Sequence, residues 1–292
     1  MTPDRVAPAG EGPLALIAGE GALPVAIARK LSEEGTPPLI LTLRDDLETF
    51  RPLAEKLVRL RAPSLGRCVR EMKAWGAGAL IMAGRVPKRV IYCLPLLFDP
   101  LTRSVLARSL RDDHSLLGSI VDAFEREGIQ VLPYWQILPE FLAAEGRLAE
   151  RDPSEKEWAD VNCGRDILRV ILPCSFGQAV VVADGSVVAV EAMEGTDAMI
   201  ERAGKLAGHG TVVKMMRTDQ DLRYDLPTIG PTTLEGMHRA GLTCLAVEAG
   251  RTLIVDSDVT LSLAGKYGIA VVGITAQDSL LAPPTAAGDP YE

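Results

Sequence analysis

The chain has 292 residues, with 31 Lys and Arg against 39 Asp and Glu and a formal net charge of -8. This acidic balance argues against nucleic acid as a partner, because no surplus of positive charge attracts a phosphate backbone. Hydrophobic residues make up 47% of the sequence but aromatic residues only 4%, so Ala, Val, Leu and Ile must fill the core, as in parallel sheets covered by helices. The length predicts two domains.

The cysteines and the apolar runs of the sequence indicate the cellular compartment of the protein. The five cysteines are odd in number and form no CxxC pair, which is typical of thiols in a reducing environment. No apolar stretch of the signal-peptide type opens the sequence, and the run RVIYCLPLLF, residues 89–98, is too short to span a bilayer. We therefore expect a cytoplasmic protein, for which attachment to a membrane surface stays open.

In the first half, short apolar runs alternate with longer amphipathic stretches. The runs LALIAG, PPLILTL, GALIMAG and IQVLPY predict strands, and charged residues recur at helical spacing between them. This alternation is typical of a doubly wound α/β domain with a Rossmann-like parallel sheet. We assign it to residues 14–145, after an N-terminal extension of residues 1–13.

The second half has a different pattern. Residues 146–163 are charged and lack a sustained apolar face, so we interpret them as a linker plus a helix start. An Asp184-Gly185 turn between two β-branched runs predicts a hairpin. Further strands (GTVVKMM, CLAVEAG, TLIVD, IAVVGI) and helices (TTLEGMHRAG, SDVTLSLAGKYG) follow. This half is therefore a distinct mixed α/β domain, residues 164–276, followed by a flexible tail, residues 277–292.

Glycines follow two of the predicted strands in the first half. After the first strand, Gly19-Glu20-Gly21 precedes a helix, where backbone N–H groups could receive a phosphate. The motif lacks the third glycine of a dinucleotide fingerprint and the Lys of a P-loop, and Glu20 would repel phosphate unless it points away. A plain β-α turn is the alternative. Gly84 and Arg85 follow a later strand, where α/β sheets bind ligands, although Arg85 also suits a solvated loop.

Acidic residues near predicted helix starts form a second set of candidates. Asp112 and Asp113 precede a helix, and because one aspartate suffices as a cap, the other is left for a ligand or a metal. In EAMEGTDAMI, Glu194 accompanies Gly195, Thr196 and Asp197. Capping explains Thr196 or Asp197 alone but does not require Glu194, which favours a binding role.

Charged residues of both signs are interleaved up to and including the first residue of the run DLPTIG. They are Lys214, Arg217, Asp219, Asp221, Arg223 and Asp225. Interleaved Asp and Arg suit a diphosphate–magnesium site, because carboxylates hold the cation and guanidinium groups bind phosphate oxygens. A surface loop would tolerate the same charges, but the rigid run would fix Asp225. At a later strand end, Glu248 and Arg251 fit either binding or a simple turn.

Five motifs occur together in one order: LIAGEGALPVAIA, DDHSLLGSIVDAFEREG, GQAVVVADGSVVAVEAMEGTDAMIERAG, DLRYDLPTIGPTT and GLTCLAVEAGRTLIVD. In this respect the chain resembles the UDP-2,3-diacylglucosamine diphosphatases of the LpxI type over residues 14–274. The resemblance implies magnesium-dependent hydrolysis of UDP-2,3-diacylglucosamine to UMP and 2,3-diacylglucosamine 1-phosphate (lipid X) in the lipid A synthesis of Gram-negative bacteria. It also implies two α/β domains with the substrate held between them.

The resemblance also implies roles for individual residues. Asp225 corresponds to the family's essential aspartate and would either coordinate Mg2+ or orient the attacking water. Glu20 stands where a small residue is common in the family. The substrate-binding candidates from motifs and resemblance together are Gly21, Ala22, Gly84, Arg85, Asp113, Gln178, Glu194, Gly195, Thr196, Asp197, Lys214, Arg223, Glu248 and Arg251.

The partner expected from the resemblance is an acylated UDP-sugar, whose acyl chains call for an apolar groove or peripheral contact with the cytoplasmic face of the inner membrane. Base rates for cytosolic enzymes predict a homo-oligomer. Two other functions stay open on the residues alone. One is a non-catalytic nucleotide-sugar-binding or regulatory module, and the other is a nicotinamide-dependent oxidoreductase, which the missing third glycine disfavours.

Overall fold

The structure is a computed structural model that describes residues 12–86, 98–108, 113–174, 177–217 and 220–275. The chain divides into two compact units. The first runs to Phe141 and also includes Gln220–Leu226, whereas the second comprises Leu142–Asp219 and the chain from Pro227 onwards. Most of the N-terminal extension and all of the tail at residues 277–292 lie outside the described residues.

The first unit is built on a parallel sheet with the strand order β3-β2-β1-β4-β5. Its strands are β1 (Leu14–Ala18), β2 (Leu39–Thr42), β3 (Lys56–Arg59), β4 (Ala79–Ala83) and β5 (Gln130–Leu132). Its described helices are α1 (Leu23–Glu33), α2 (Leu65–Trp75), α3 (Pro100–Arg108) and α4 (Asp113–Arg126). All neighbouring strands in this sheet pair in parallel, which confirms the predicted Rossmann-like sheet.

Helices cover this sheet, and the strands are accordingly apolar along their length. Every residue of β2 and β4 is buried, as expected for strands covered on both faces. Met72 of α2 and Phe124 of α4 pack against strand residues in one core cluster. The four predicted strands correspond to β1, β2, β4 and β5. Strand β3 was not predicted, because KLVR is short and half charged.

The second unit is built on a mixed sheet with the order β6-β13-β11-β9-β7-β8. Its strands are β6 (Gly146–Arg147), β7 (Ala179–Ala183), β8 (Ser186–Val190), β9 (Thr211–Lys214), β11 (Cys244–Glu248) and β13 (Ala270–Ile274), and a separate parallel pair is formed by β10 (Thr228–Ile229) and β12 (Leu253–Ile254). Its described helices are α5 (Glu155–Ile171), α6 (Thr196–Leu206), α7 (Pro231–Ala240) and α8 (Ser257–Tyr267).

Helices lie on both faces of the second sheet. Val161 and Leu168 of α5 share a core cluster with one set of strand residues, while Ile200 of α6, Met237 of α7 and Ala264 of α8 share another cluster with the alternate set. The predicted hairpin is confirmed, because β7 and β8 pair antiparallel around Asp184 and Gly185. Both turn residues have positive φ, as a type I′ turn requires.

Residues 146–163, assigned above to a linker with a helix start, lie mostly in regular elements. Strand β6 pairs antiparallel with β13, and α5 begins at Glu155. Ser154 and Glu157 form a capping box, in which each side chain satisfies a backbone N–H at the helix start. The helix start expected in this stretch is confirmed, whereas strand β6 was not predicted. No helix in the described ranges is long and apolar enough to cross a bilayer.

Candidate active site

The first candidate region is the carboxyl edge of the first sheet, where β1 and β4 end side by side. In doubly wound sheets, ligands bind where the strand order reverses, which here is between these two strands. The loops after them join directly. Gly19 N–H donates to Ala83 O at 2.8 Å, Glu20 N–H to Arg85 O at 2.8 Å, and Arg85 N–H to Glu20 O at 3.0 Å. The structure therefore brings the predicted Gly21, Ala22, Gly84 and Arg85 to one edge.

The close approach of these loops depends on Gly84. Its φ is +84°, and an added Cβ would lie 2.6 Å from Glu20 O and 2.7 Å from Pro24 Cγ. Only glycine avoids both the backbone strain and the contacts. Gly84 is therefore required for the loop junction itself, whatever its role in binding.

The start of α1 offers backbone donors beside this junction. Within the described ranges, the N–H groups of Gly21, Ala22 and Leu23 have no hydrogen-bond partner, and no side chain caps the helix. Arg44, which follows β2, donates from Nη1 to Gly21 O at 3.2 Å. This combination can receive an anion. Arg44 was not selected from the sequence, because only the sheet order places the end of β2 beside the end of β1.

Glu20 lies at this edge and offsets part of the positive charge. Its Oε2 is 3.6 Å from Arg85 Nη2. The Arg85 side chain is 83% exposed, so solvent screens the pair and Arg85 remains accessible to a ligand. Glu20 points towards Arg85, so its carboxylate stays beside the cation that a phosphate would meet at this edge.

Asp225 lies in Gln220–Leu226, called the Asp225 segment below, which groups with the first unit. Asp225 N–H donates to Asp221 O at 3.2 Å. Leu226 N–H donates to Oη of Tyr134 at 2.8 Å, and Tyr134 follows β5. Burial is the main reason why the pKa of Tyr134 is raised, and the negative charge of Asp225 raises it further. Tyr134 was missed because a sequence gives no sign of so distant a contact.

Arg223 is occupied by carboxylates of the protein. Its Nε and Nη2 donate to Asp221 at 3.0 and 2.6 Å, and its Nη1 donates to Glu125 of α4 at 2.6 Å. This bidentate arrangement fixes the segment rather than presenting an open guanidinium. The ion pair also holds the pKa of Asp221 low, although burial, its largest single contribution, acts in the opposite direction.

The second candidate region is the carboxyl edge of the second sheet, where a continuous network of hydrogen bonds runs. Gln178 N–H donates to Glu191 Oε2 at 3.1 Å, and Thr196 Oγ1 donates to Glu191 Oε1 at 2.8 Å. Lys214 Nζ donates to Thr196 Oγ1 at 3.1 Å and to Thr228 O at 3.0 Å. The structure thus brings together the predicted Gln178, Thr196 and Lys214. Glu191 lay inside a predicted motif but was not selected.

Other predicted residues near the start of α6 are arranged differently. Glu194 Oε1 accepts from Nη2 of Arg202 at 2.5 Å, and this bond is the main cause of the lowered pKa of Glu194. Gly195 caps α6 with a φ of +85°, a value that favours glycine. Asp197 is exposed in the first helical turn. Glu194 is therefore paired with a residue of α6, whereas Asp197 is accessible.

Glu248 ends β11 and is buried, with only 3% of its surface exposed. Its Oε2 accepts Met216 N–H at 2.8 Å, and its Oε1 lies 3.6 Å from Nη1 of Arg251, whose side chain is exposed. Burial raises the pKa of Glu248, while the Met216 N–H and the Arg251 charge oppose that rise.

The remaining predictions concern a metal and the start of α4. Asp113 begins α4, but its side chain and the whole of Asp112 and Asp219 lie outside the described part of the structure. Across the described ranges, no group of three or more His, Cys, Asp and Glu residues is arranged to hold a metal ion.

Fold and candidate sites define a two-unit α/β protein with a polar cluster at the carboxyl edge of each sheet. The LpxI N-terminal domain matches residues 13–141, and the LpxI C-terminal domain matches residues 144–272. A relative from Caulobacter vibrioides, named UDP-2,3-diacylglucosamine pyrophosphatase LpxI, is 31% identical over 288 residues, which cover 91% of this chain and 98% of that protein. The chain belongs to the LpxI family.

Proposed function

We propose that this protein is a UDP-2,3-diacylglucosamine diphosphatase, a hydrolase acting on a phosphorus anhydride, with a role in lipid A biosynthesis. Water and UDP-2,3-diacylglucosamine give UMP and 2,3-diacylglucosamine 1-phosphate (lipid X). The oxygen of the water forms a new bond to phosphorus as the anhydride P–O bond breaks, and the protons pass to solvent.

One observation carries the proposal: the similarity to the relative named as this pyrophosphatase extends over 98% of that protein. Both family domains match, so the similarity is not confined to a common nucleotide-binding half. The open backbone donors at the start of α1, beside Arg44 and the exposed Arg85, support it, since they suit an anionic phosphate.

Asp225 is the residue that we propose for the reacting centre. It is partly exposed, and neighbouring bonds fix its backbone on both sides. Mg2+ commonly binds one or two carboxylates together with substrate phosphates and keeps several waters, so a single carboxylate here fits such an ion. When bound, Mg2+ would neutralise diphosphate charge and lower the pKa of a bound water. Asp225 either contributes to holding the ion or orients the attacking water.

The other polar residues have supporting roles in the proposal. Gly21 and Ala22 would contact phosphate oxygens through their N–H groups, and Arg85 would stabilise the negative charge that grows on the leaving phosphate. Asp197 and Arg251, both exposed at the second edge, would bind polar parts of the substrate. The acyl chains contribute about 0.8 kcal/mol per buried CH2, which favours peripheral contact with the cytoplasmic face of the inner membrane.

The deciding experiment incubates the purified protein with UDP-2,3-diacylglucosamine and Mg2+ in ¹⁸O-labelled water. We expect equal amounts of UMP and lipid X, with the label in one of the two, which identifies the phosphorus attacked. A parallel titration with EDTA tests whether a divalent cation is needed. Tight binding of the UDP-sugar with no release of UMP would contradict the proposal and favour a non-catalytic binding module.

A further inference from the structure

Both ends of the chain stretch that carries Asp225 are anchored within the second unit. At the exit, Met215 N–H donates to Gln178 O at 3.0 Å, and Met216 N–H donates to Glu248 Oε2 at 2.8 Å. At the return, Lys214 Nζ donates to Thr228 O at 3.0 Å, and Leu253 N–H donates to Pro227 O at 2.9 Å. The chain between residues 216 and 227 is therefore held by hydrogen bonds at both of its ends.

The anchor at Met216 differs from the others because its acceptor is a buried carboxylate. Strand β9 ends at Lys214, which is the last residue paired with β11. Beyond that point Met216 is buried, and a buried N–H requires an acceptor. The Glu248 side chain supplies the acceptor that a neighbouring strand would otherwise supply. A charged acceptor forms a stronger hydrogen bond than a neutral one.

The burial of Glu248 argues against direct contact with substrate. Only 3% of the residue is exposed, and Oε2 is already engaged by Met216. Oε1 lies 3.6 Å from Nη1 of Arg251, whose side chain is itself exposed. Burial raises the pKa of Glu248, because a charged carboxylate in the interior costs free energy. The hydrogen bond to Met216 gives a structural reason for a carboxylate at this position.

We propose that Glu248 is a positioning residue, whose carboxylate fixes the chain at Met216 and thereby the start of the stretch that carries Asp225. This inference rests on the proposed function for its kinetic consequence, but not for its structural one. Loss of the hydrogen bond between Met216 and Glu248 would allow Asp225 to move away from the reacting phosphorus. Misplacement of a reacting group by about 1 Å can reduce turnover about 100-fold.

Two variants separate positioning from substrate binding. Glu248→Gln keeps an oxygen that can accept from Met216, whereas Glu248→Leu keeps a similar volume and removes the acceptor. We expect Glu248→Gln to retain kcat within about threefold and Glu248→Leu to lose about 10- to 100-fold in kcat, with KM within about twofold of the wild type in both. A KM that rises in both variants while kcat is preserved would overturn the proposal, because it would show direct contact with substrate.

Amide hydrogen exchange at Met216 gives a second readout that needs no activity. The amide should be protected in the wild type and in Glu248→Gln, and it should exchange at least about tenfold faster in Glu248→Leu. Unchanged exchange in Glu248→Leu would overturn the proposal even if turnover fell. If Glu248→Leu does not fold, Glu248→Gln decides alone, since a loss of kcat above about tenfold would contradict the role. An inactive wild type with the expected exchange pattern would refute the proposed function but not the anchor.

Discussion

The phenolic oxygen of Tyr134 lies 2.8 Å from the backbone nitrogen of Leu226 and accepts its N–H. The two residues are far apart in the sequence, yet this bond fixes the backbone directly after Asp225. Tyr134 and Leu226 are both buried, so the bond is shielded from water. The placement of Asp225 therefore depends on a hydroxyl group at the end of β5.

Replacement of Tyr134 by Phe should destabilise the protein and lower turnover together. The variant keeps the ring and removes the acceptor for Leu226 N–H, at an expected cost of about 1–2 kcal/mol in the free energy of unfolding. Urea unfolding and steady-state kinetics measure the two effects. Tyr267→Phe, whose ring stacks on His238, is the matched control and should change neither. Full activity in Tyr134→Phe would show that this bond does not position Asp225.

Asp225→Asn should fold normally and lose at least about 100-fold in kcat, because the amide is uncharged and is a weaker ligand and proton acceptor. UMP release at saturating substrate measures the loss, and circular dichroism checks the fold. Asp258→Asn changes an exposed aspartate on α8 and should keep wild-type kinetics. Wild-type turnover in Asp225→Asn would remove this residue from the reacting centre.

Glu20→Gln should improve substrate binding at low ionic strength. The change removes a carboxylate from the proposed phosphate position and leaves Arg85 without its ion pair, so KM should fall about two- to fivefold. The effect should disappear in high salt, which screens exposed charges. Glu33→Gln, at the other end of α1, should leave KM unchanged. An unaltered KM in Glu20→Gln would place the diphosphate away from this turn.

Gly84→Ala should destabilise the fold more than Gly35→Ala. Both glycines have positive φ, but an added Cβ at Gly35 meets nothing within 4 Å, whereas at Gly84 it meets Glu20 O at 2.6 Å. Backbone strain alone costs about 1–2 kcal/mol, and overpacking at Gly84 should add about 1–3 kcal/mol. Thermal or urea unfolding of the two variants measures the difference. Equal losses would show that the loop junction can relax.

Acid stability should depend on Glu157. Although burial, the largest single contribution, raises its pKa, hydrogen bonds from Arg151, Ser154 and Thr243 together lower it to about 2. Since the folded pKa is depressed, its stabilisation is complete above the unfolded pKa of about 4.5 and is lost as pH falls towards about 2. The loss should be about 2–3 kcal/mol.

Unfolding free energies of the wild type and Glu157→Gln, compared across that pH range, test this expectation. The variant should show a flatter acid dependence by about the same amount. Glu155→Gln alters an exposed carboxylate of the same helical turn and should keep the wild-type slope. Parallel curves for the wild type and Glu157→Gln would contradict the role of Glu157.

Local patterns in the sequence predicted most of the fold. Buried strands such as β4 appear as apolar runs, and the Asp184-Gly185 turn specifies its hairpin through local backbone preference. Strand β6 could not be predicted, because Gly146 and Arg147 form a strand only by pairing with β13, far along the chain. Strand β3 was not predicted for a similar reason, since its burial depends on its pairing with β2.

The candidate site was predictable as residue types but not as contacts. The sequence indicated that Arg223 and Asp225 carry charge near a rigid run, and Arg223 was expected to bind phosphate. Its actual partners include Glu125, on a helix of the first unit, and no local pattern encodes that choice. Glu191 was overlooked because its function is to accept hydrogen bonds from Gln178 and Thr196, which only the folded loops bring near.

The grouping of Gln220–Leu226 with the first unit limits how the gene can recombine. A crossover between codons 141 and 142 coincides with a boundary between the two units along the sequence. The chimera would nevertheless take residues 220–226 from one parent and the surface of the first unit that they contact from the other. Arg223 would then face a foreign α4, and Leu226 a foreign aromatic side chain. Exchange of one half of the chain between homologues should therefore give a stable protein only where the residues that contact residues 220–226 match that segment.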